Sequence, residues 1–127
     1  MREKIICFED LKVWQKSHEL TLLVYKITKD FPGDEKFCLV SQMRRAAVSV
    51  SANIAEGFKR RGKKDKINFY NISQGSLTEL YNYMILGKDL DYIDRRIFEQ
   101  IKPHFDQIGK MLNGLISTTE LALHSTY

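Results

Sequence analysis

The chain is short of residues that interrupt regular structure. Its 127 residues include two prolines, Pro32 and Pro103, and seven glycines. So few breakers point to long regular elements. Cysteine is scarce as well. Cys7 and Cys38 lie far apart, in no CxxC and in no cluster with histidine. That excludes a disulfide-stapled secreted scaffold and favours a reduced, cytoplasmic setting. No run of about 18 apolar residues is present, so no membrane-spanning helix is expected. The opening MREKIICFEDLKVW has no apolar run of signal-peptide length. At one domain's length, with 43% apolar and 28% charged residues, the composition is that of a globular protein.

Chemistry-bearing patterns are equally sparse. His18, His104 and His124 sit on separate segments, none with a second His or a Cys at ligand spacing. The ExxH pairs of a di-iron bundle are missing, and no metal or cofactor is expected. Gly57 and Gly62 lack the GxxxxGK[ST] frame of a phosphate loop, and there is no nucleophile elbow. The expectation is a protein without catalytic activity.

What the sequence does contain is helical periodicity in four segments. The first spans about residues 10–30, with Asp10 as N-cap. It carries two apolar stripes: Val13, Leu20, Val24 and Ile27 on one, Leu11, Trp14, Leu22 and Tyr25 on the other. A bundle helix ordinarily hides one stripe, so the second is either a subunit interface or part of a broad core face. The segment stops at DFPGDE. The second helix spans about 34–57, with Phe37, Val40, Met43, Ala47, Val50 and Ile54 as its seam, small residues Ala46, Ser49, Ala52 and Asn53 beside it, and Gly57 as a left-handed C-cap. The third spans about 64–90, with Phe69 or Tyr70, then Ser73, Leu77, Leu80, Met84 and Gly87. The fourth spans about 94–121, with Asp94 as N-cap and Ile97, Ile101, Phe105, Ile108, Leu112 and Leu115 as its seam. Pro103 inside it removes one backbone hydrogen bond and predicts a kink near Glu99. Short links between long helices predict an all-α fold, an antiparallel up-down-up-down four-helix bundle forming one domain.

Charge is concentrated in one place. Lys59, Arg60, Arg61, Lys63, Lys64 and Lys66, with Asp65 among them, give the stretch 59–66 a formal +5, whereas the whole chain carries +4. Such a loop between the second and third helices either neutralises nucleic-acid phosphates or is simply solvated. Phe58, Phe69 and Tyr70 flank it, either as stacking platforms for unpaired bases or as core anchors. In an up-down-up-down bundle Arg2 and Lys4 share its end, and Arg95 and Arg96 lie at the other. Arg44 is expected to be exposed and to extend the basic surface. Gln42, Arg45, Ser49, Asn53 and Glu56 form a polar line on helix two. This is either a ligand groove or a buried network that sets helix register, with Arg45 and Glu56 each needing a partner on another helix or subunit.

The segments FEDLKVWQKSHEL, QMRRAAVSVSANIAEGFKR, SQGSLTELYNYMILGKDLDYI and GKMLNGLI resemble the four-helix bundle family named for 23S rRNA intervening sequences. Its superfamily includes the accessory variability determinant of diversity-generating retroelements. The resemblance runs from about Phe8 to Ile116. Its most specific part is RRAAxSxxxNIAEG, matched by Arg44 to Gly57. It implies a ring-shaped homopentamer, which assigns the surplus stripe of helix one to an interface. It also implies nucleic-acid binding, since the retroelement relatives use a basic surface of the ring to engage nucleic acid and a reverse transcriptase. Cys38 stands where a small residue is common in the family, and Ser51 where many relatives have Pro, so a family kink at that point of helix two does not carry over. Two functions follow: a non-catalytic RNA- or DNA-binding oligomer, or a scaffold that uses the same basic segment to bind another protein.

Overall fold

Without breakers, the amphipathic segments run as four long helices: α1 (Lys12–Thr28), α2 (Leu39–Lys59), α3 (Lys63–Asp89) and α4 (Arg95–Ser125). Single 3₁₀ turns at Phe8–Asp10 and Gly33–Glu35 precede α1 and α2. The computed structural model describes residues 5–125, and side chains as far as residue 121. Arg2, Lys4 and the side chain of His124 lie outside the described residues, which contain no strand.

Contacts between neighbouring helices fix their directions. Thr21 of α1 donates to the Ala47 carbonyl of α2 at 3.1 Å, and Arg44 of α2 reaches Thr28 of α1 at 2.9 Å. Ser73 of α3 donates to the Val50 carbonyl at 2.7 Å, Ser49 and Ser76 share a hydrogen bond at 2.7 Å, and Arg45 pairs with Glu79 at 3.3 Å. Gln74 bonds Asn113, and the rings of Tyr81 and Phe105 lie 5.1 Å apart. In each pair one index rises as the other falls, so consecutive helices run antiparallel. The bundle encloses a core of Leu20, Val24, Met43, Val50, Ile54, Leu80, Met84, Ile108 and Leu112. The buried hydroxyls of Ser17, Thr21, Thr28 and Ser73 all donate to backbone carbonyls, as burial of a polar group requires.

Several boundaries depart from the sequence reading. Asp10 does not cap α1. Its carboxylate accepts the amides of Ile6 at 2.9 Å and Cys7 at 3.1 Å, which closes the preceding 3₁₀ turn and holds its pKa below the usual carboxylate value. Leu11 instead stands before α1, in an extended conformation and without a side-chain cap. Helix α2 starts five residues later than expected, at Leu39 and not Asp34. The 3₁₀ turn and the non-helical Cys38 (φ −118°, ψ −102°) rotate Phe37 out of the seam, leaving it 85% exposed. Ile97 also faces outward, and Phe98 takes the buried place. In α1 the stripe of Val13, Leu20 and Val24 is buried, whereas Leu22 and Tyr25 of the second stripe are exposed. Asp94 does cap α4, accepting the Arg96 amide at 2.7 Å. Helix α4 continues past Pro103 to Ser125.

Gly57 is not a C-cap. It lies buried inside α2, and no described glycine has positive φ. Its hydrogen side admits the Tyr70 ring: a Cβ there falls 2.5 Å from Tyr70 Cε1. The helix C-terminus that does use a left-handed residue is that of α3. There Asp91 has φ 63°, its amide bonds Lys88 O at 3.0 Å, and the Tyr92 amide bonds Gly87 O at 2.9 Å. This is the Schellman arrangement with aspartate in the place glycine usually fills.

Two substitutions test these assignments by thermal or urea unfolding. Gly57→Ala gains about 1 kcal/mol of helix propensity but forces the Tyr70 ring to move, an overpacking penalty of about 1–3 kcal/mol; a net loss of stability is expected. Asp91→Gly relieves the left-handed strain and is expected to stabilise by up to about 1 kcal/mol.

Candidate nucleic-acid interface

The basic segment is less of a loop than its composition suggests. Lys59 is the last residue of α2 and Lys63 the first of α3, so only Arg60, Arg61 and Gly62 are non-helical. The close approach of α2 and α3 around Gly57 and Tyr70 makes this short link possible. It also sets the last carbonyls of α2 against the first turns of α3.

That geometry divides the six cations. Lys66 turns inward: its Nζ donates to Phe58 O at 2.6 Å and Gly57 O at 3.2 Å. It thereby satisfies carbonyls that a helix C-terminus leaves without partners. Burial lowers its pKa from the ordinary lysine value, and its ammonium sits 5.5 Å from the centre of the Phe58 ring. Arg60 is held on three sides, by Glu56 at 3.3 Å, by Asp65 at 3.8 Å and by the Phe69 ring at 4.6 Å from its centroid. Lys63 is half-buried and already engaged. Lys59, Arg61 and Lys64 are exposed, with no hydrogen-bond acceptor or carboxylate partner among the described residues. Within the 59–66 stretch, these three are the cations left free.

Arg44 is not part of the basic surface. It is half-buried near the start of α2, roughly 22 Å along the helix from Lys59 at 1.5 Å per residue. Its guanidinium donates to Thr28 Oγ1 at 2.9 Å and Tyr25 O at 3.3 Å, and lies 4.5 Å from the Tyr25 ring centroid. It ties down the C-terminus of α1. The exposure expected from its sequence position is overridden because α1 ends directly beside it.

The polar line of α2 follows the solvent edge of the α2–α3 seam. Arg45 donates on each side, to Gln42 at 2.6 Å and to Glu79 of α3 at 3.3 Å, but it is exposed. Asn53 donates to Ser49 O at 2.8 Å and Ser49 Oγ at 3.0 Å, and Ser49 joins Ser76 of α3. Glu56 finds its partner just past the end of α2, at Arg60. The line is a ladder at the rim, with Arg45 and Glu56 in solvent and not in a buried network.

The opposite end of the bundle has mixed charge. Arg95 and Arg96 stand there with Asp89, Asp91 and Asp94, and Lys88 lies 4.5 Å from the Phe98 ring centroid. Of the histidines, His18 stacks on Trp14 at 4.9 Å on the exposed side of α1, and His104 lines a shallow groove between α1 and α4. Among the described residues, no three His, Cys, Asp or Glu side chains converge as metal ligands, and no helix is long and apolar enough to cross a membrane.

The pairing of Arg60 with Glu56 had a sequence signal, opposite charges four residues apart at a helix end. The inward turn of Lys66 had none, because it depends on how closely α3 approaches the end of α2.

The class is thus an all-helical four-helix bundle with its excess positive charge at one end. The chain belongs to the 23S rRNA-intervening sequence protein family, whose sequence profile it matches over residues 9–114. It is similar to a solved protein of unknown function from the S23 ribosomal protein family of Bacteroides thetaiotaomicron. The two share 28% identity and superpose with a TM-score of 0.76, over 82% of this chain and 97% of the other. No functionally curated protein matches the chain.

The division of cations has a direct thermodynamic test. Lys66→Met removes the donor to two α2 carbonyls and is expected to lower stability by about 1–2 kcal/mol. Replacing Lys59, Arg61 and Lys64 together by Ser is expected to change it by less than about 0.5 kcal/mol per site. Urea unfolding of the two variants distinguishes them.

Proposed function

We propose that this protein is a non-catalytic, cytoplasmic nucleic-acid-binding module that engages RNA or DNA phosphates through the end of the bundle formed by the α2–α3 junction. The observation that carries the reading is the set of free charges Lys59, Arg61 and Lys64 at one end of the fold. Folding does not account for all of them. Lys59 at the C-terminus of α2 suits that helix's dipole, but Lys64 stands in the first turn of α3, where a cation is unfavourable by a few tenths of a kcal/mol. A group placed against the dipole and left without a partner serves contacts outside the chain.

We further propose that the working form is a homo-oligomer, the pentamer that the family resemblance implies, with further copies of the chain covering the outer α1–α2 face. Leu22 is 59% exposed there, and Tyr25, Val48 and Phe37 are also exposed. Tyr25, Phe37 and Val48 line one shallow groove with Val40 and Arg44. Apolar side chains gathered on one exposed face mark a contact surface when they are contiguous. Leu22→Glu is expected to shift the protein to a smaller species in sedimentation velocity without loss of helical circular dichroism.

Duplex binding across a salt series tests the phosphate reading. With three phosphates neutralised per chain, log K is expected to fall by roughly 2.7 per decade of salt for each chain engaged. The Ser variant of Lys59, Arg61 and Lys64 is expected to lose most of that slope while remaining folded. If the wild type binds neither duplex nor single strand at low salt, the basic end serves a protein partner instead.

A further inference from the structure

We infer that the basic end recognises the phosphate chain alone, with no nucleobase stacked on the protein. The inference rests on the nucleic-acid reading above and specifies its ligand: a polyanionic backbone, whatever its bases. Proteins that grip single strands through their bases combine a cationic groove with aromatic rings whose faces are open. Each aromatic ring flanking this cationic segment already has a partner in the fold: two lie against a cation and the third is buried. Phe58 is half-buried with the Lys66 ammonium over it. Phe69 is half-buried beneath the Arg60 guanidinium, which Glu56 and Asp65 hold in place. Tyr70 is buried, its ring against Gly57. A base stacking on the arginine-covered face of Phe69 would have to displace a guanidinium with two carboxylate partners. One stacking on the lysine-covered face of Phe58 would have to remove the lysine that caps α2.

The other aromatic row towards this end is Phe8, Trp14 and His18. Trp14 is likewise engaged, edge-on with Phe8 at 5.2 Å and stacked face-on with His18 at 4.9 Å. Trp14 is the sole tryptophan of the chain, so its fluorescence reports any base that stacks on this row.

What the 59–66 segment leaves to meet a ligand is the ammonium of Lys59, the guanidinium of Arg61 and the ammonium of Lys64. These groups bind phosphate through charge and hydrogen bonds, and need neither an unpaired base nor a sequence. Recognition of this kind follows phosphate density, so duplexes bind at least as well as single strands of equal length.

The test compares three labelled probes of equal length at low salt: a DNA duplex, oligothymidylate, and an abasic deoxyribose-phosphate strand with no bases. The abasic strand is expected to bind within about twofold of oligothymidylate, with the same change, if any, in Trp14 emission. A stacked base is worth roughly tenfold or more in affinity. Tenfold weaker binding of the abasic strand, or quenching of Trp14 by oligothymidylate alone, overturns this inference and leaves the phosphate reading standing. Failure of all three probes to bind overturns both. Phe69→Leu gives a second check, with unchanged affinity for oligothymidylate expected and a tenfold loss counting against the inference. The probe comparison holds even if that variant does not fold.

Discussion

The structure depends on how closely α2 and α3 can approach. The hydroxyl of Ser73 reaches the backbone carbonyl of Val50 on the neighbouring helix at 2.7 Å. Such a bond forms only where small side chains line the seam. Ala46, Ser49 and Gly57 on one side and Ser73 and Ser76 on the other provide that room. A buried hydroxyl–carbonyl bond contributes about 1 kcal/mol to stability, but its geometric consequence is larger. It sets the register in which Gly57 meets Tyr70 and the end of α2 meets the beginning of α3. The connection then needs only Arg60, Arg61 and Gly62.

A short link changes what the charged residues can do. A long flexible loop carrying six cations would offer all of them to solvent. Here Lys66 is drawn under the end of α2 and becomes its cap, and Arg60 is locked between two carboxylates and a ring. Such exposed ion pairs contribute little to stability, on the order of 1 kcal/mol or less. They still withdraw Arg60 from competition for an external anion. The formal charge of the segment therefore overstates its free charge, and the difference is used to build the junction itself.

Much of this was legible from periodicity. The seams of α3 and most of α2 are buried as their spacing predicts, and the choice between Phe69 and Tyr70 falls to Tyr70, which packs against Gly57. What the sequence could not show falls into two physical kinds. One is local competition among caps: Asp10 is a sound N-cap by type, but the amides of Ile6 and Cys7 reach its carboxylate first. The other is tertiary reach. The burial of Arg44 and Lys66, the exposure of Phe37 and the loss of Gly57 as a cap all arise from where a second helix happens to end or pass. Helical periodicity says which face of one helix is apolar. It does not say which carbonyl on another helix lies within reach of a long side chain.

The two proposals for function are physically coupled. A single chain that neutralises three phosphates holds nucleic acid weakly, because each contact adds only the modest free energy of counterion release. Several copies in one assembly present that surface repeatedly to one ligand. The second and later contacts are then intramolecular, and avidity exceeds the single-site affinity by orders of magnitude when the spacing allows simultaneous engagement. The exposed Leu22 and Tyr25 and the free Lys59, Arg61 and Lys64 thus belong to one argument. On these proposals the apolar face would supply the copies, and the copies would turn a weak cationic end into an effective phosphate-binding surface. Disrupting the face should therefore weaken nucleic-acid binding even though Leu22 carries no charge, and restoring local concentration by tethering two chains should recover it.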